Sequence, residues 1–259
     1  MLALRSDLVF DPSTLVLMAG PCSVESYEQT RQVAQEMAQL GLHVLRGGAF
    51  KPRTSPHTFQ GLGVEGLKIL RAVADEFGLL VVTEALGVEH VPLVAEYADI
   101  LQIGSRNMQH FPLLWAAAET GKPILLKRGF MSTIDEWLAA AEHIRVRGNE
   151  QIILCERGIR GFDPSTRNVL DVVAIPLLRS RGVPYPLIAD PSHATGRADL
   201  VLPASLAAVA AGADGLIVEV HPNPQEALSD GAQSLALADF PAYVESIRRL
   251  AQALGRRVI

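Results

Sequence analysis

Residues 64–83 read VEGLKILRAVADEFGLLVVT, and this stretch contains one helix and one strand of the pattern that indicates the fold class. Between Val64 and Phe77, apolar side chains recur every three or four residues, which predicts an amphipathic helix. Gly78 separates this helix from residues 79–83, a short run of apolar and β-branched residues that is typical of a strand buried on both faces. A helix followed by such a strand indicates a parallel α/β sheet.

The same alternation continues in both directions along the chain. Seven further runs predict strands, and four further amphipathic stretches predict helices. The predicted strands are 15–19, 43–46, 100–103, 123–127, 151–155, 186–189 and 215–220. The predicted helices are 27–40, 133–146, 204–212 and 240–254.

Eight strand–helix units in 259 residues average about 32 residues each, which matches a (β/α)8 TIM barrel of ordinary size. An open, doubly wound sheet is the alternative, because periodicity does not reveal whether a sheet closes. We expect one catalytic barrel domain over residues 1–259. Residues 1–14 would be a short N-terminal extension, and we expect no separate regulatory domain.

Composition excludes several classes of protein. With 49% hydrophobic and 20% charged residues the chain is ordinary for a globular protein and too apolar to be disordered. A net charge of −5 argues against broad nucleic-acid binding. Two cysteines cannot build a disulfide framework, and Asp7 and Asp11 lie where a signal peptide would be apolar. We therefore expect a cytoplasmic protein that binds neither nucleic acid nor membranes.

Polar or charged residues follow every predicted strand, at the end where a barrel enzyme carries its active site. Arg presents a planar fork of donors to carboxylate and phosphate oxygens, and Lys presents a compact point charge. Several such cations in a chain of negative net charge predict a small ligand with more than one anionic group. Ion pairing with Glu84, Glu156 and Asp190 is the alternative. The cations are Arg46, Lys51, Arg53, Arg106, Lys127 and Arg157.

A second set of strand-end residues suits a divalent transition metal, because it combines a thiol, an imidazole and two carboxylates. These residues are Cys22, His193, Glu219 and Asp230. Their spacing along the chain is long, so each one taken alone also fits a structural role. His221 is a further candidate for a ligand or a supporting partner. Cys155 lies inside the sixth apolar run, which predicts a core position.

Seven ordered motifs at these strand ends resemble the 3-deoxy-D-arabino-heptulosonate 7-phosphate (DAHP) synthase family, and within it the compact type Iβ branch. The resemblance covers essentially the whole chain. The motifs are Ala19-Gly20-Pro21-Cys22-Ser23, Lys51-Pro52-Arg53-Thr54, Gly104-Ser105-Arg106-Asn107, Leu126-Lys127-Arg128-Gly129, Cys155-Glu156-Arg157-Gly158, Asp190-Pro191-Ser192-His193 and Glu219-Val220-His221-Pro222.

The resemblance implies a metal-dependent condensation of phosphoenolpyruvate with D-erythrose 4-phosphate and water. The products would be DAHP and phosphate, in the first step of the shikimate pathway to chorismate and the aromatic amino acids. The implied cofactor is a divalent metal ion (Mn, Fe, Co or Zn), with Cys22, His193, Glu219 and Asp230 as its ligands. The implied phosphoenolpyruvate contacts are Arg46, Lys51, Arg106, Lys127 and Arg157. The implied erythrose 4-phosphate contacts are Lys51, Pro52, Arg53, Thr54 and Ser55.

Lys51, Cys22 and His193 are the implied catalytic residues. Lys51 is a candidate for delivering the proton to the developing alkoxide, and a water held by the metal is an equal candidate. Glu84 and Asp190 are candidates for orienting the cations or the attacking water. The resemblance also implies a homo-oligomer, either a dimer or a tetramer. A bare barrel would be insensitive to phenylalanine, tyrosine and tryptophan.

Two alternatives remain. The sister enzyme 3-deoxy-D-manno-octulosonate 8-phosphate synthase takes arabinose 5-phosphate, but its second loop typically reads Lys-x-Ser-Phe-Asp-Lys-Ala-Asn-Arg. Here that loop is Lys51-Pro52-Arg53-Thr54-Ser55-Pro56, which favours erythrose 4-phosphate. A barrel without catalysis that binds sugar phosphates or a protein partner belongs to a different class, and phosphate release from the two substrates would discriminate it.

Overall fold

Strands and helices alternate along the chain in the computed structural model, which describes residues 1–51, 55 and 57–259. The strands are β1 (Leu2–Arg5), β2 (Leu8–Phe10), β3 (Thr14–Gly20), β4 (Val44–Arg46), β5 (Leu80–Glu84), β6 (Ile100–Ile103), β7 (Ile124–Lys127), β8 (Ile152–Glu156), β9 (Leu187–Ala189), β10 (Gly215–His221), β11 (Leu235–Ala236) and β12 (Arg257–Val258). The helices are α1 (Tyr27–Gln39), α2 (Val64–Phe77), α3 (Val91–Tyr97), α4 (Phe111–Glu119), α5 (Ile134–Arg145), α6 (Ala174–Ser180), α7 (Pro191–Thr195), α8 (Ala198–Ala210) and α9 (Phe240–Ala253). Each predicted strand agrees with one of β3–β10 to within one residue at either end.

The eight strands β3–β10 form a closed parallel barrel. Each pairs with its neighbour in the sequence, and β10 also pairs with β3, from Gly215 opposite Val16 to Glu219 opposite Gly20. This last pairing closes the sheet. The predicted (β/α)8 TIM barrel is therefore confirmed, and the open sheet is excluded.

Apolar side chains fill the inside of the barrel, as expected for strands whose alternate residues face inward. The inward set is Val16, Met18, Val44, Val82, Ile100, Leu125, Ile153, Cys155, Ile188 and Ile217. The other faces of the strands pack with the helices in a second, larger apolar cluster. Cys155 is fully buried within the inner set, so the structure agrees with its predicted core position.

Both ends of the chain close the amino end of the barrel. β1 and β2 form an antiparallel hairpin whose buried Leu8 and Phe10 pack against the inner apolar set. Ile259 joins the same cluster, because the short β12 pairs with β3. Leu8 and Phe10 thus join the N-terminal extension to the barrel core.

The helices differ from the sequence prediction in two ways: α8 begins earlier than predicted, and α3, α4, α6 and α7 were not predicted. α8 begins at Ala198 rather than at 204 and contains Pro203. Pro203 is the sixth residue of this helix, and the backbone hydrogen bond that its missing N–H removes is the one to the carbonyl of Asp199. The short α7 was not predicted, and it begins with Pro191, directly after β9. Among the described residues, no helix combines the length and the apolar character needed to span a bilayer.

Candidate active site at the carboxyl end of the barrel

The inward face of the strands changes from apolar to polar within two residues. Because side chains on one strand face alternate with a period of two, the residue two positions after an inward apolar side chain points into the same space. At the carboxyl ends this next residue is polar on at least five strands. The pairs are Val44 and Arg46, Ile100 and Gln102, Leu125 and Lys127, Ile188 and Asp190, and Ile217 and Glu219. The barrel therefore has an apolar floor and a charged rim.

One cleft at this rim contains all five predicted phosphoenolpyruvate contacts. Its lining includes Arg46, Lys51, Arg106, Lys127 and Arg157, together with His193. Four of the five cations are buried, and Arg106 is exposed. The structure thus brings together cations from four different strand ends.

Three of the buried cations already have partners. Arg46 Nη1 lies 3.0 Å from Glu219 Oε1, and Lys127 Nζ lies 2.5 Å from Asp190 Oδ2. Lys51 Nζ lies 3.0 Å from Cys22 Sγ and donates to the Cys22 carbonyl at 3.1 Å. Ion pairing, the alternative weighed for these cations, is therefore present for part of the set.

Arg157 is different, because it forms no ion pair within the described part of the chain. Its Nη1 is buried and has no hydrogen-bond partner, and its guanidinium carbon lies 4.6 Å from the centre of the Phe130 ring. Burial lowers the pKa of Arg157. Thr83 Oγ1 and Ser105 Oγ line the same cleft and are also buried without a partner in the described residues. Buried polar atoms are normally satisfied, so these three atoms are suited to bind a polar ligand.

The four predicted metal ligands lie together beside this cleft. The candidate ligand atoms of Cys22, His193, Glu219 and Asp230 are all within 4.8 Å of one another. Cys22 Sγ is 3.3 Å from Asp230 Oδ2, and His193 Nε2 is 3.2 Å from Glu219 Oε1. Four residues that are up to 208 positions apart in sequence therefore form one compact donor set.

Asp190 orients His193 within this metal cluster. Its Oδ1 accepts a hydrogen bond from the His193 backbone N–H at 2.9 Å, which begins α7, and its Oδ2 lies 2.7 Å from His193 Nδ1. This contact assigns the ring proton to Nδ1 and turns Nε2 toward the cluster, as a carboxylate does for metal-binding histidines. Burial disfavours charge on Asp190, but His193 and Lys127 hold the pKa of Asp190 well below its usual range.

The protonation of the cluster fits a divalent cation. Burial and the nearby Glu219 raise the pKa of Cys22 to about 12, so the thiol keeps its proton while no cation is present. Burial lowers the pKa of His193 to about 4, which keeps the imidazole neutral and able to donate its lone pair. A bound cation would take the place of the thiol proton. A sulfur, an imidazole nitrogen and two carboxylates suit a transition metal.

Two residues at the rim, Phe130 and Arg128, were not singled out for the site by the sequence analysis. The ring of Phe130 lies 5.4 Å from the guanidinium carbon of Arg106 and 5.6 Å from that of Arg160, in addition to its contact with Arg157. Phe130 follows the Lys127-Arg128-Gly129 motif directly, which is the signal that would have identified it. Arg128 pairs with Glu156 at 3.0 Å, so Glu156 does not neutralise the cations of the cleft.

Not every candidate joins the site. His221 lies outside the metal cluster and contacts Glu25 instead. In the predicted erythrose 4-phosphate loop, Pro52, Arg53 and Thr54 lie outside the described residues. Ser55 is described, and its hydroxyl accepts a hydrogen bond from His57 N at 3.3 Å.

Comparison with known proteins agrees with this geometry. The family model of the DAHP synthetase I family matches residues 11–255. A curated phospho-2-dehydro-3-deoxyheptonate aldolase from Thermotoga maritima is 57% identical over 242 residues, which cover 93% of this chain and 71% of that protein. A crystal structure of the DAHP synthase from Thermotoga maritima has a TM-score of 0.92 at 55% identity and covers 95% of this chain and 72% of that chain.

A more distant relative has a different name. The 2-dehydro-3-deoxyphosphooctonate aldolase of Pelobacter propionicus is 37% identical over 256 residues, with 91% of this chain and 92% of that protein covered. The identity is thus 20 points higher to the heptonate enzyme than to the octonate enzyme (57% against 37%). The resemblance inferred from the strand-end motifs is confirmed, and this chain belongs to the DAHP synthetase I family.

Proposed function

We propose that this chain is a 3-deoxy-7-phosphoheptulonate synthase, which joins phosphoenolpyruvate to D-erythrose 4-phosphate. A carbon–carbon bond forms between the enol carbon and the aldehyde carbon. Water adds to the carbon that carries the phosphate ester, and phosphate leaves to give DAHP. The observation that carries this proposal is the cleft itself. Five cations line it, and beside them lie four residues whose side chains suit a metal ion.

The distribution of charge in the cleft supports an orientation for phosphoenolpyruvate. Arg106 and Arg157 form no ion pairs among the described residues, so they retain the charge that a phosphate dianion needs. The charge of Arg46 is already balanced in part by its ion pair with Glu219. Arg46 therefore suits the carboxylate of phosphoenolpyruvate, which carries a single negative charge. We place the phosphate at Arg106, Lys127 and Arg157, and the carboxylate at Arg46 and Lys51. Holding the substrate at both ends fixes its reacting carbon.

The metal cluster would hold the divalent cation (Mn, Fe, Co or Zn), through Cys22, His193, Glu219 and Asp230. When bound, such a cation supplies Lewis acidity toward a carbonyl oxygen. Asp190 keeps His193 in the tautomer that a ligand needs. Arg46 balances the charge of Glu219 from the other side, so the carboxylate stays ionised in a buried place.

Lys51 lies where the two substrates would meet. Its ammonium is buried and lies within 3.1 Å of both the sulfur and the carbonyl oxygen of Cys22. From there it can donate a proton to the oxygen of the aldehyde as the carbon–carbon bond forms. The rest of its loop, Pro52, Arg53, Thr54 and Ser55, is proposed to bind the phosphate and hydroxyls of erythrose 4-phosphate.

Phosphate release with two aldoses tests the function. The purified chain, loaded with Mn²⁺, is given phosphoenolpyruvate with erythrose 4-phosphate or with arabinose 5-phosphate, and inorganic phosphate is measured. We expect fast release with erythrose 4-phosphate only. Faster release with arabinose 5-phosphate would favour the octulosonate synthase, and no release with either sugar would favour a barrel that only binds sugar phosphates.

We further propose that the 259 residues form one catalytic unit that works as a homo-oligomer, a dimer or a tetramer, in the cytoplasm. Light scattering of the purified chain measures the oligomeric state. A mass near 27.9 kDa at micromolar concentration would contradict the oligomer.

A further inference from the structure

Glu25 connects the two loops that supply Cys22 and Asp230 to the metal cluster. It lies three residues after Cys22, in the loop that follows β3. Its Oε1 accepts a hydrogen bond from the Leu228 backbone N–H at 2.9 Å, and its Oε2 lies 3.3 Å from His221 Nε2. The Glu25 side chain is only 12% exposed. The Glu25 carboxylate thus contacts His221, where the loop after β10 begins, and Leu228, near the far end of that loop.

The proton of His221 is positioned for this contact. His221 Nδ1 lies 3.0 Å from the Asn223 backbone N–H and accepts from it. A neutral imidazole with an accepting Nδ1 carries its proton on Nε2, so His221 donates to Glu25. This explains why His221 does not join the metal cluster, although it follows Glu219 by two residues.

The residues that follow Leu228 reach the cluster directly. Ser229 Oγ lies 3.2 Å from Cys22 Sγ, and Asp230 Oδ2 lies 3.3 Å from the same sulfur. Asp230 has a φ of 49°, in the left-handed region that residues other than glycine adopt infrequently. Such a backbone persists only where neighbouring contacts hold it.

The far side of this turn is anchored as well. The Gln233 backbone N–H donates to the Asp230 carbonyl at 3.2 Å, and Gln233 Nε2 donates to Glu219 Oε2 at 2.6 Å. The Asp230 turn is therefore held on both sides. Glu25 connects one side to the Cys22 loop, and Gln233 connects the other side to Glu219.

We propose that Glu25 is a positioning residue that sets the affinity of the metal cluster for its divalent cation. It acts through Leu228 and His221, by holding the Asp230 turn at the correct distance from Cys22. The inference rests on the proposed function only in requiring that the cluster binds a cation. Groups that orient metal ligands in this way typically change metal affinity by about 10–100-fold when they are removed.

The test compares Glu25→Ala with a matched control, Glu226→Ala, which removes an exposed carboxylate from the same loop. The affinity of each purified protein for Co²⁺ is measured by competition with a chromophoric chelator. Thermal unfolding of each metal-free protein is measured alongside. We expect Glu25→Ala to weaken Co²⁺ binding about 10–100-fold with little change in the metal-free Tm, and Glu226→Ala to match the wild type in both.

Two further variants keep the test decisive if Glu25→Ala does not fold. Glu25→Gln retains an oxygen for the Leu228 N–H and is expected to bind Co²⁺ with intermediate affinity. His221→Asn removes the second contact and is expected to weaken Co²⁺ binding as well.

The inference would be overturned if Glu25→Ala bound Co²⁺ with wild-type affinity. It would also be overturned if both single variants, Glu25→Gln and His221→Asn, did so. A fall in the metal-free Tm with unchanged Co²⁺ affinity would also overturn it and leave Glu25 a purely structural role. A wild-type chain that binds Co²⁺ but releases no phosphate would contradict the proposed function and leave this inference standing.

Discussion

The two ends of the barrel are built from the same strands, but they bury opposite kinds of side chain. On β7, Leu125 is 0% exposed and Lys127, two residues further on the same face, is 4% exposed. At the amino end, Leu8, Phe10 and Ile259 seal the floor with apolar contacts. At the carboxyl end, Lys127 and three further cations of the cleft are also buried, although they are charged. The degree of burial alone therefore does not separate core from active site.

The hydrogen bonding of the buried groups does separate the two ends. Apolar floor residues stabilise the fold simply by leaving water. A buried charge costs desolvation free energy, and even a paired one contributes little net stability. Arg157 forms no ion pair among the described residues and has a buried Nη1 without a hydrogen-bond partner there, so its charge is open to an anionic ligand. The floor is therefore expected to determine stability and the rim to determine activity.

The largest expected effect is the loss of the metal. Cys22→Ala removes the only sulfur of the metal cluster, and we expect kcat to fall at least about 1,000-fold, because Lewis-acid assistance is worth several kcal/mol. Bound metal is measured by elemental analysis and activity by phosphate release. The control is Cys155→Ala, on the barrel floor, which is expected to retain metal.

Thorough chelation with EDTA should likewise abolish activity, and Mn²⁺ or Co²⁺ should restore it.

Retained turnover in metal-free Cys22→Ala would remove Cys22 from the ligand set. Loss of metal in Cys155→Ala would show that a change on the barrel floor affects the rim, and this would contradict the separate roles of the two ends.

The next largest effect is expected at the amino end. Phe10→Ala leaves a cavity against the inner apolar set, and we expect the free energy of unfolding to fall by about 3–4 kcal/mol. The measurement is urea denaturation, with Phe10→Leu as a milder control. Because Phe10 lies far from the rim, kcat per folded molecule should stay at the wild-type value. A large fall in kcat at full folding would show that the two ends are coupled.

Two equally buried arginines at the rim give a sharper comparison. Arg157 and Arg128 are 3% and 4% exposed, but within the described residues only Arg128 forms ion pairs, with Glu156 and Asp171. Arg157→Met should lower kcat/KM for phosphoenolpyruvate about 100-fold, or about 2.7 kcal/mol, with an equal or higher Tm, because an uncompensated charge is removed. Arg128→Met should lower the Tm instead, since it leaves Glu156 unpaired. Equal losses of Tm in the two variants would contradict this interpretation.

The smallest expected effect is on the aldose. Arg53→Ala should raise KM for erythrose 4-phosphate about 10-fold, because one charge-assisted contact to phosphate is lost. The KM for phosphoenolpyruvate should change less, and steady-state kinetics with each substrate varied in turn measures both values. A larger change for phosphoenolpyruvate would invalidate the assignment of this loop.

The sequence alone determined the positions of the strands and the residue types at their ends. The positions of β3–β10 follow from short apolar runs bounded by Gly and Pro, which are local signals. The cations and metal-type residues follow from motifs at the strand ends, and the family follows from their order. The erythrose 4-phosphate assignment still depends on the sequence motif alone, because Pro52, Arg53 and Thr54 lie outside the described residues.

Contacts between distant parts of the chain are known only from the folded structure. Closure of the barrel requires Val16 to pair with Gly215, and no local periodicity reports such a pairing. Whether a cation is paired, like Lys127, or unpaired, like Arg157, depends on which carboxylates the fold brings within hydrogen-bond distance. The same reason separates His221 from the metal cluster, because Glu25, nearly 200 residues away, accepts a hydrogen bond from its Nε2. Residue types are local information, whereas hydrogen-bond partners are set by the packing of the whole chain.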